Sequence, residues 1–179
     1  MNLIENKERI FSQVAQAMET ANRRDQVNVI AVTKYVGIDQ AKALVDTGVR
    51  HIGENRVDKF LEKYQALKDE GLTWHLIGSL QRRKVKEVIN YVDYFHALDS
   101  MKLAQEIQKR ASHPIKCFIQ VNISGEESKH GFAPEELDAL LPEMENLDNL
   151  QIVGLMTMAP FEASQDELQA IFAATHQLQ

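Results

Sequence analysis

The chain has little cysteine, no long apolar run and no excess of positive charge, and each absence argues against a class of protein. Its one cysteine, Cys117, can form no internal disulfide, which favours a cytoplasmic location. There is no run of about 18 apolar residues and the N-terminus lacks the apolar core of a signal peptide, so we expect no membrane span. The net charge of −6, from 20 basic and 26 acidic side chains, disfavours nucleic acid as a partner.

Several motifs with well-understood chemistry are also missing from the sequence. We find no metal-ligand spacing, no nucleophile elbow and no phosphate-binding P-loop. No G-x-G-x-x-G follows the first apolar segment, which weakens a dinucleotide-binding interpretation. A functional site must therefore be sought in the arrangement of the predicted strands and helices.

Short apolar segments alternate with longer amphipathic segments along the chain. We interpret the short segments as six strands, and because several are rich in β-branched residues without clean alternation, we expect both of their faces to be covered. Strict alternation of strands and helices predicts one domain, residues 1–179, with a parallel sheet and right-handed crossovers. A doubly wound sheet and a (β/α)8 barrel both fit at this point. The strands are predicted at 27–34, 50–55, 73–78, 94–99, 115–123 and 150–158.

Cap and stop signals mark the ends of several predicted helices. Asp39 is the expected N-cap of the helix after the first strand, and Gly48 its C-terminal stop. Pro134 suits a first helical turn, whereas Pro142 should kink or shorten the same helix. The sequence from Ser164 to Glu167 is a capping-box pattern that begins the last helix.

Polar side chains follow most of the predicted strands at their carboxyl ends, where parallel β/α folds bind ligands. Such residues come from segments far apart in sequence and would meet at one rim of the sheet. A polar loop at 124–133, the longest irregular stretch, follows the fifth strand. The rim residues are Lys34, Gly53, Glu54, Asn55, His75, Gly78, Ser79, His96, Asp99, Gln120, Asn122, Ser124, Met156 and Thr157.

Lys34 is the most informative of these residues because it ends an apolar strand. If it is buried, desolvation lowers the pKa of its amine and makes it a nucleophile for an aldehyde or ketone, giving a Schiff base. Alternatively, Lys34 lies just beyond the strand and points to solvent, as most lysines do. The residues alone leave both interpretations open.

The other rim residues also have plain structural interpretations. His75 and His96 are each compatible with hydrogen-bonded core histidines, and Asn55 with a cap of the following helix. Met156 is compatible with filling space in the core. The basic cluster at 82–84 fits a solvated helix face better than a phosphate site.

Taken together, five segments resemble the pyridoxal phosphate homeostasis proteins, the YggS/PROSC family: AVTK (31–34), HIGENRV (51–57), WHLIGSLQRRK (74–84), QVNISGEESKHG (120–131) and GLMTM (154–158). The resemblance extends from about residue 27 to residue 172. It implies an alanine-racemase-like (β/α)8 barrel with pyridoxal 5′-phosphate (PLP) held as a Schiff base on Lys34. It further implies that the cofactor site includes Asn55, His75, Ile77, Gly78 and Met156.

The resemblance implies a PLP carrier or buffer more than a catalyst. Family members generally show no established turnover. The resemblance suggests PLP-dependent client enzymes as partners. It also suggests that the complete protein is a monomer. Alanine racemases use a second base from a partner subunit's separate domain, for which this chain has no room. Two alternatives stay open: a PLP-dependent racemase or Lys34 Schiff-base lyase such as an aldolase, and a protein–protein regulator.

The family also continues beyond the C-terminal end of this sequence. Its usual C-terminal part carries a serine- and glycine-rich SMGMS-type strand and loop, and then a strand with an RIG-type motif. These are the seventh and eighth strands, whose loops often build the phosphate site in such barrels. We therefore expect about six of eight β/α units here, an open barrel, lower stability than the full protein and weak PLP binding.

Overall fold

Strands and helices alternate along the chain in the computed structural model, which describes residues 2–125 and 130–179. All six predicted strands are present: β1 Ala31–Val32, β2 His51–Glu54, β3 Thr73–Leu76, β4 Tyr94–Leu98, β5 Ile115–Gln120 and β6 Leu150–Met156. The α-helices are α1 Leu3–Thr20, α2 Ile38–Asp46, α3 Val57–Leu67, α4 Arg82–Val88, α5 Met101–Arg110, α6 Leu137–Glu145 and α7 Gln165–Gln177. Of the helices in the described ranges, none has the length and apolar character that a membrane crossing requires.

The six strands form one parallel sheet in the order β1-β2-β3-β4-β5-β6, so each strand pairs with its neighbours in sequence. A doubly wound sheet would reverse its direction part-way, and this order does not. Repeated right-handed crossovers in one direction place the connecting helices on one face of the sheet. Within residues 2–125 and 130–179 no ladder joins β6 to β1. The fold is therefore part of a (β/α)8 barrel with six units, as predicted.

The main apolar core lies between the sheet and the helices. Trp74 of β3 illustrates it, because its ring packs edge-on against Phe60 and Tyr64 of α3, with centroids 5.5 and 5.2 Å away. Neighbouring strands and helices continue this layer. Its fully buried members include Ile52, Leu76, Val85, Phe95, Leu98, Ile107, Ile115, Ile119 and Met144.

β1 is the element that differs most from the sequence prediction. It was expected as a buried strand over 27–34, but only Ala31 and Val32 form a ladder, with Ile52 and Gly53 of β2. Within residues 2–125 and 130–179, β1 lies at the edge of the sheet and pairs with β2 alone, so Val32 is 46% exposed. An apolar run predicts a strand without specifying how many neighbours it has.

Most helix ends follow the sequence signals. The N-cap of α2 is Gly37, and Asp39 lies in the first turn, where its charge suits the positive end of the helix dipole, so the Asp39 prediction was wrong. α2 ends at Asp46, two residues before Gly48, as expected. The capping box is confirmed: the Glu167 amide donates to Ser164 Oγ (3.3 Å) and the Ser164 amide donates to the Glu167 carboxylate (2.7 Å).

The segment between β5 and β6 was predicted as a polar loop, 124–133, followed by a helix. Residues 126–129 of that loop lie outside the described residues. The helical part begins as a 3₁₀ turn, Pro134–Glu136, and continues as α6. Pro142 lies inside α6, which nevertheless runs on to Glu145, so the proline does not end the helix.

Candidate functional site

A cavity of about 440 Å³ opens at the carboxyl ends of the strands. That volume is typical of small-molecule sites, and the position is the one where parallel β/α folds bind ligands. Residues after β1, β2, β3, β5 and β6 contribute to it, as the sequence analysis expected of this rim. The lining residues are Lys34, Asn55, Ile77, Gly78, Ser79, Ala97, Gln120, Val121, Asn122, His130, Met156 and Met158.

Five of the six predicted cofactor residues meet in this lining, namely Lys34, Asn55, Ile77, Gly78 and Met156. The sixth, His75, is not part of the lining and lies within the sheet, on β3. The structure thus brings together side chains separated by up to 122 positions, 34 to 156, at one rim. Their assignment as PLP-binding residues stays a prediction.

Lys34 does not have the buried environment that the Schiff-base argument assumed. The residue is exposed, and its Nζ lies 5.0 Å from the centroid of the Tyr35 ring, which is itself 90% exposed. Of the two interpretations that the residues left open, the structure supports the one in which Lys34 points to solvent, because β1 lies at the edge of the sheet in the described part of the chain. The residue nevertheless belongs to the cavity wall.

Gly78 and the backbone of Asn55 pack so closely that no side chain fits between them. A Cβ atom on Gly78 would lie 2.3 Å from the Asn55 carbonyl oxygen, well inside van der Waals contact. The Ile77 amide also donates to the Glu54 carbonyl over 2.8 Å, which draws the two strand ends together. Asn55 does not cap α3, whose N-cap is Arg56. Glycine at position 78 therefore fixes the spacing of the cavity wall.

Three histidines form a hydrogen-bonded chain across neighbouring strands. His51 Nδ1 lies 2.9 Å from His75 Nε2, and His75 Nδ1 lies 2.9 Å from His96 Nε2. The ring of Tyr94 stacks on His75, with centroids 4.8 Å apart, and Phe118 packs on His96 at 4.7 Å. These rings lie on the face of the sheet opposite Trp74, since successive residues of a strand point to opposite faces.

Burial keeps His75 and His96 neutral. Desolvation lowers the pKa of His75 to about 3, helped by its proximity to His96 and His51, and His75 is only 3% exposed. Desolvation also lowers the pKa of His96 to about 4. In the described ranges no group of three or more His, Cys, Asp or Glu side chains could hold a metal ion. The interpretation as a hydrogen-bonded core residue is thus confirmed for His75, while His96 is hydrogen-bonded but half-buried.

His130 is a cavity residue that the sequence analysis did not select. Gly131, with φ of +121°, turns the chain back beside β5, where Phe132 exchanges backbone hydrogen bonds with Gln120 and Asn122 at 2.9 Å. A Cβ atom at Gly131 would lie 2.9 Å from the Gln120 carbonyl oxygen. The signal available in the sequence was this glycine, directly after His130.

Asp99, after β4, faces His130 at the mouth of the cavity. Its Oδ2 lies 3.8 Å from His130 Nδ1, and burial raises the pKa of the Asp99 carboxyl while His130 opposes that shift. The His130 side chain is 71% exposed and that of Asp99 22%, so solvent screens the pair from the His130 side. Among the described lining residues, Lys34 and His130 are the two with ionisable side chains.

Comparison with known proteins places this arrangement in a family. The family model for the alanine racemase N-terminal domain matches residues 6–179. The pyridoxal phosphate homeostasis protein of Aquifex aeolicus is 37% identical over 182 residues, covering 99% of this chain and 80% of the relative. The chain belongs to the pyridoxal phosphate homeostasis protein family. The Pseudomonas aeruginosa member is 32% identical, covering 98% of this chain and 78% of its own length.

Solved structures agree with the family assignment. PipY of Synechococcus elongatus PCC7942, solved with PLP bound, superposes with a TM-score of 0.86 at 31% identity, over 99% of this chain and 80% of PipY. An alanine racemase from Clostridium difficile 630 superposes with a TM-score of 0.70 at 18% identity, over 87% of this chain and 42% of the racemase. At that identity the racemase shows only a shared barrel fold.

Proposed function

We propose that this protein binds PLP in the cavity at the strand ends, as a Schiff base on Lys34, and acts in the homeostasis of that cofactor. The observation that carries the proposal is the place of Lys34. It is the one residue with a primary amine among the described lining residues, and it lies at the rim, two residues after the end of β1. The family relationship supplies the identity of the aldehyde.

The cavity residues fit such a group. The Lys34 amine would condense with the aldehyde carbon of PLP, forming a C=N bond and releasing water. Bound PLP supplies an electron sink that the protein must direct or suppress. Asn55, Ile77, Gly78 and Met156 would line the cofactor, and the close contact between Gly78 and Asn55 keeps that wall narrow. His75, the sixth residue that the family resemblance implies, is hydrogen-bonded to His51 and His96 and lies outside this lining.

The ionisable groups of the cavity suit a protein that carries PLP better than one that catalyses racemisation. Racemisation needs a base opposed to the lysine, and His130 is the other ionisable residue of the described lining. Its side chain is 71% exposed and 3.8 Å from Asp99, so it lacks the buried, positioned setting that tunes catalytic bases. We therefore propose that the protein has little catalytic turnover. From the family resemblance we also propose that the complete protein is a cytoplasmic monomer that delivers PLP to PLP-dependent enzymes. Residues 1–179 would form a single domain.

The test is a PLP titration followed by borohydride reduction and peptide mass mapping. We expect a visible absorbance from the Schiff base and, after reduction, one phosphopyridoxyl adduct on the peptide that contains Lys34. Because the amine is required, Lys34→Ala should lose both signals. Lys59→Met, at an exposed lysine of α3, is the matched control and should behave as the wild type.

Two results would contradict the proposal. An adduct spread over several surface lysines would mean that the cavity has no selectivity for PLP. Rapid racemisation of alanine by the loaded protein, lost in Lys34→Ala, would mean that the protein is an enzyme.

A further inference from the structure

A buried ion pair lies behind β1, on the helix side of the sheet. Glu54 of β2 is 0% exposed, Lys63 of α3 is 2% exposed, and the Lys63 ammonium contacts Glu54 Oε1 directly. The same ammonium donates to the Thr33 carbonyl over 2.7 Å, and Thr33 Oγ1 donates to Glu54 Oε1 over 2.6 Å. We call these three residues the Thr33 anchor.

The Thr33 anchor is an expensive way to stabilise a fold. Removing two charges from water costs more than their attraction commonly returns, and apolar pairs of similar volume are often equally stable. In addition, Glu54 Oε2 is buried and has no hydrogen-bond partner among residues 2–125 and 130–179. A buried oxygen of that kind adds a further desolvation cost. Burying the Glu54–Lys63 pair therefore costs desolvation free energy, so the pair is expected to have a role besides stability.

Glu54 and Lys63 both hydrogen-bond to Thr33, the residue next to Lys34. Thr33 is 2% exposed, although its neighbours Val32 and Lys34 are both exposed. In the described part of the chain β1 has two ladder residues, both paired with β2, so few strand hydrogen bonds restrain this strand end. The Thr33 amide donates to the Gly53 carbonyl over 3.0 Å, and the Thr33 carbonyl accepts from Val36 over 3.1 Å as well as from Lys63.

We propose that Glu54 and Lys63 are positioning residues, which fix the backbone at Thr33 so that the Lys34 amine is presented at the cavity. The inference rests on the proposed function and extends it to two residues outside the cavity lining. Neither residue touches the cofactor space, because both lie on the opposite side of the sheet, between β2 and α3. Their effect on Schiff-base formation is transmitted through one residue of backbone.

A purely structural role would leave a different signature. In that case changing the pair would alter stability, and PLP binding would change only in proportion to the fraction of folded protein. A positioning role predicts weaker Schiff-base formation in protein that is still folded. It also predicts faster amide hydrogen exchange at Thr33 and Val36 in ligand-free protein, since the Thr33 amide donates to the Gly53 carbonyl and the Val36 amide donates to the Thr33 carbonyl.

The test variant is Lys63→Met/Glu54→Gln, which removes both charges together and keeps side-chain volume close to the original. Single Lys63→Met would leave a buried carboxylate uncompensated and risks unfolding. Thr33→Val is a second variant, since it deletes only the hydroxyl that donates to Glu54. The matched control is Lys59→Met/Glu62→Gln, an exposed lysine–glutamate pair on the same helix, with side chains 46% exposed.

The measurements are the PLP concentration at half-maximal Schiff-base absorbance, amide exchange without PLP, and the unfolding midpoint. For Lys63→Met/Glu54→Gln we expect that concentration to rise at least about tenfold, or about 1.4 kcal/mol, with faster exchange at Thr33 and Val36. Thr33→Val should show a smaller effect in the same direction. The exposed-pair control should match the wild type in all three measurements.

The outcomes separate this inference from the proposed function. If the wild type forms no Schiff base at Lys34, the proposed function fails and the inference fails with it. If the wild type forms it and folded Lys63→Met/Glu54→Gln forms it at the same PLP concentration, the positioning role alone is overturned. Unfolding of the double variant together with wild-type behaviour of Thr33→Val would also overturn it, because the hydroxyl contact would then contribute nothing.

Discussion

Acid should destabilise this protein through His75 and His96, the two histidines of the chain whose pKa is lowered by burial. The unfolded chain binds protons at histidine near the ordinary pKa of 6.5, whereas the folded protein binds them at about 3 for His75 and about 4 for His96. The free energy of unfolding that depends on these two histidines is present in full above pH 6.5. It is lost as the pH falls, because the unfolded state takes up protons that the folded state does not.

The size of this effect follows from proton linkage. Each ring removes up to about 1.4 kcal/mol of the free energy of unfolding per pH unit. Between about pH 6.5 and about pH 5 the two rings together would remove up to about 4 kcal/mol. We take this as an upper bound, since His96 is only half-buried. Such a loss is a large part of the roughly 5–15 kcal/mol typical of a folded domain.

The assay is urea unfolding at several pH values, followed by the fluorescence of Trp74, the only tryptophan and 3% exposed. His75→Gln keeps a donor and an acceptor between His51 and His96 but removes one of the two titrating rings. We expect the loss of stability over this pH range to shrink by about half. His113→Gln, at an exposed histidine, should retain the wild-type pH dependence. An unchanged pH dependence in His75→Gln would refute the reasoning.

Two further expectations concern packing. Gly78→Ala should lower the free energy of unfolding by at least about 1 kcal/mol, because its Cβ would lie 2.3 Å from the Asn55 carbonyl oxygen. Gly37→Ala adds a Cβ with nothing within 4 Å, so it should cost only the weaker N-cap preference of alanine, and a smaller loss in Gly78→Ala than in Gly37→Ala would contradict the close contact. Burial raises the pKa of the Cys117 thiol to about 12, so a maleimide should label native protein far more slowly than unfolded protein. Rapid native labelling would show that β5 opens readily.

The fold was largely predictable because its signals are local. Apolar segments of strand length alternate with amphipathic ones, and alternation of that kind predicts a parallel sheet without knowledge of contacts. The choice between a doubly wound sheet and a barrel depends on strand order, which the residues alone left open. The observed order and the family relationship both select the barrel.

The site was predictable where strand ends determine it and unpredictable where tertiary contacts do. Lys34 and Asn55 line the cavity because they follow β1 and β2. The exposure of Lys34 could not be decided from the sequence, since it depends on the edge position of β1 in the described sheet and not on any residue nearby. Lys63 looks like any solvated lysine of an amphipathic helix, yet its ammonium is buried against Glu54. Its position is the one clue, because Lys63 falls on the same helix face as Phe60 and Leu67, whereas Lys59, four residues earlier on α3, does not.

The central claim, that the cavity holds PLP through Lys34, is tested most directly by a crystal structure of the protein grown with PLP. We expect continuous density from Lys34 Nζ to the cofactor, with the ring inside the cavity beside Asn55 and Gly78. An unmodified Lys34, with PLP absent from the cavity or bound at another lysine, would contradict the account.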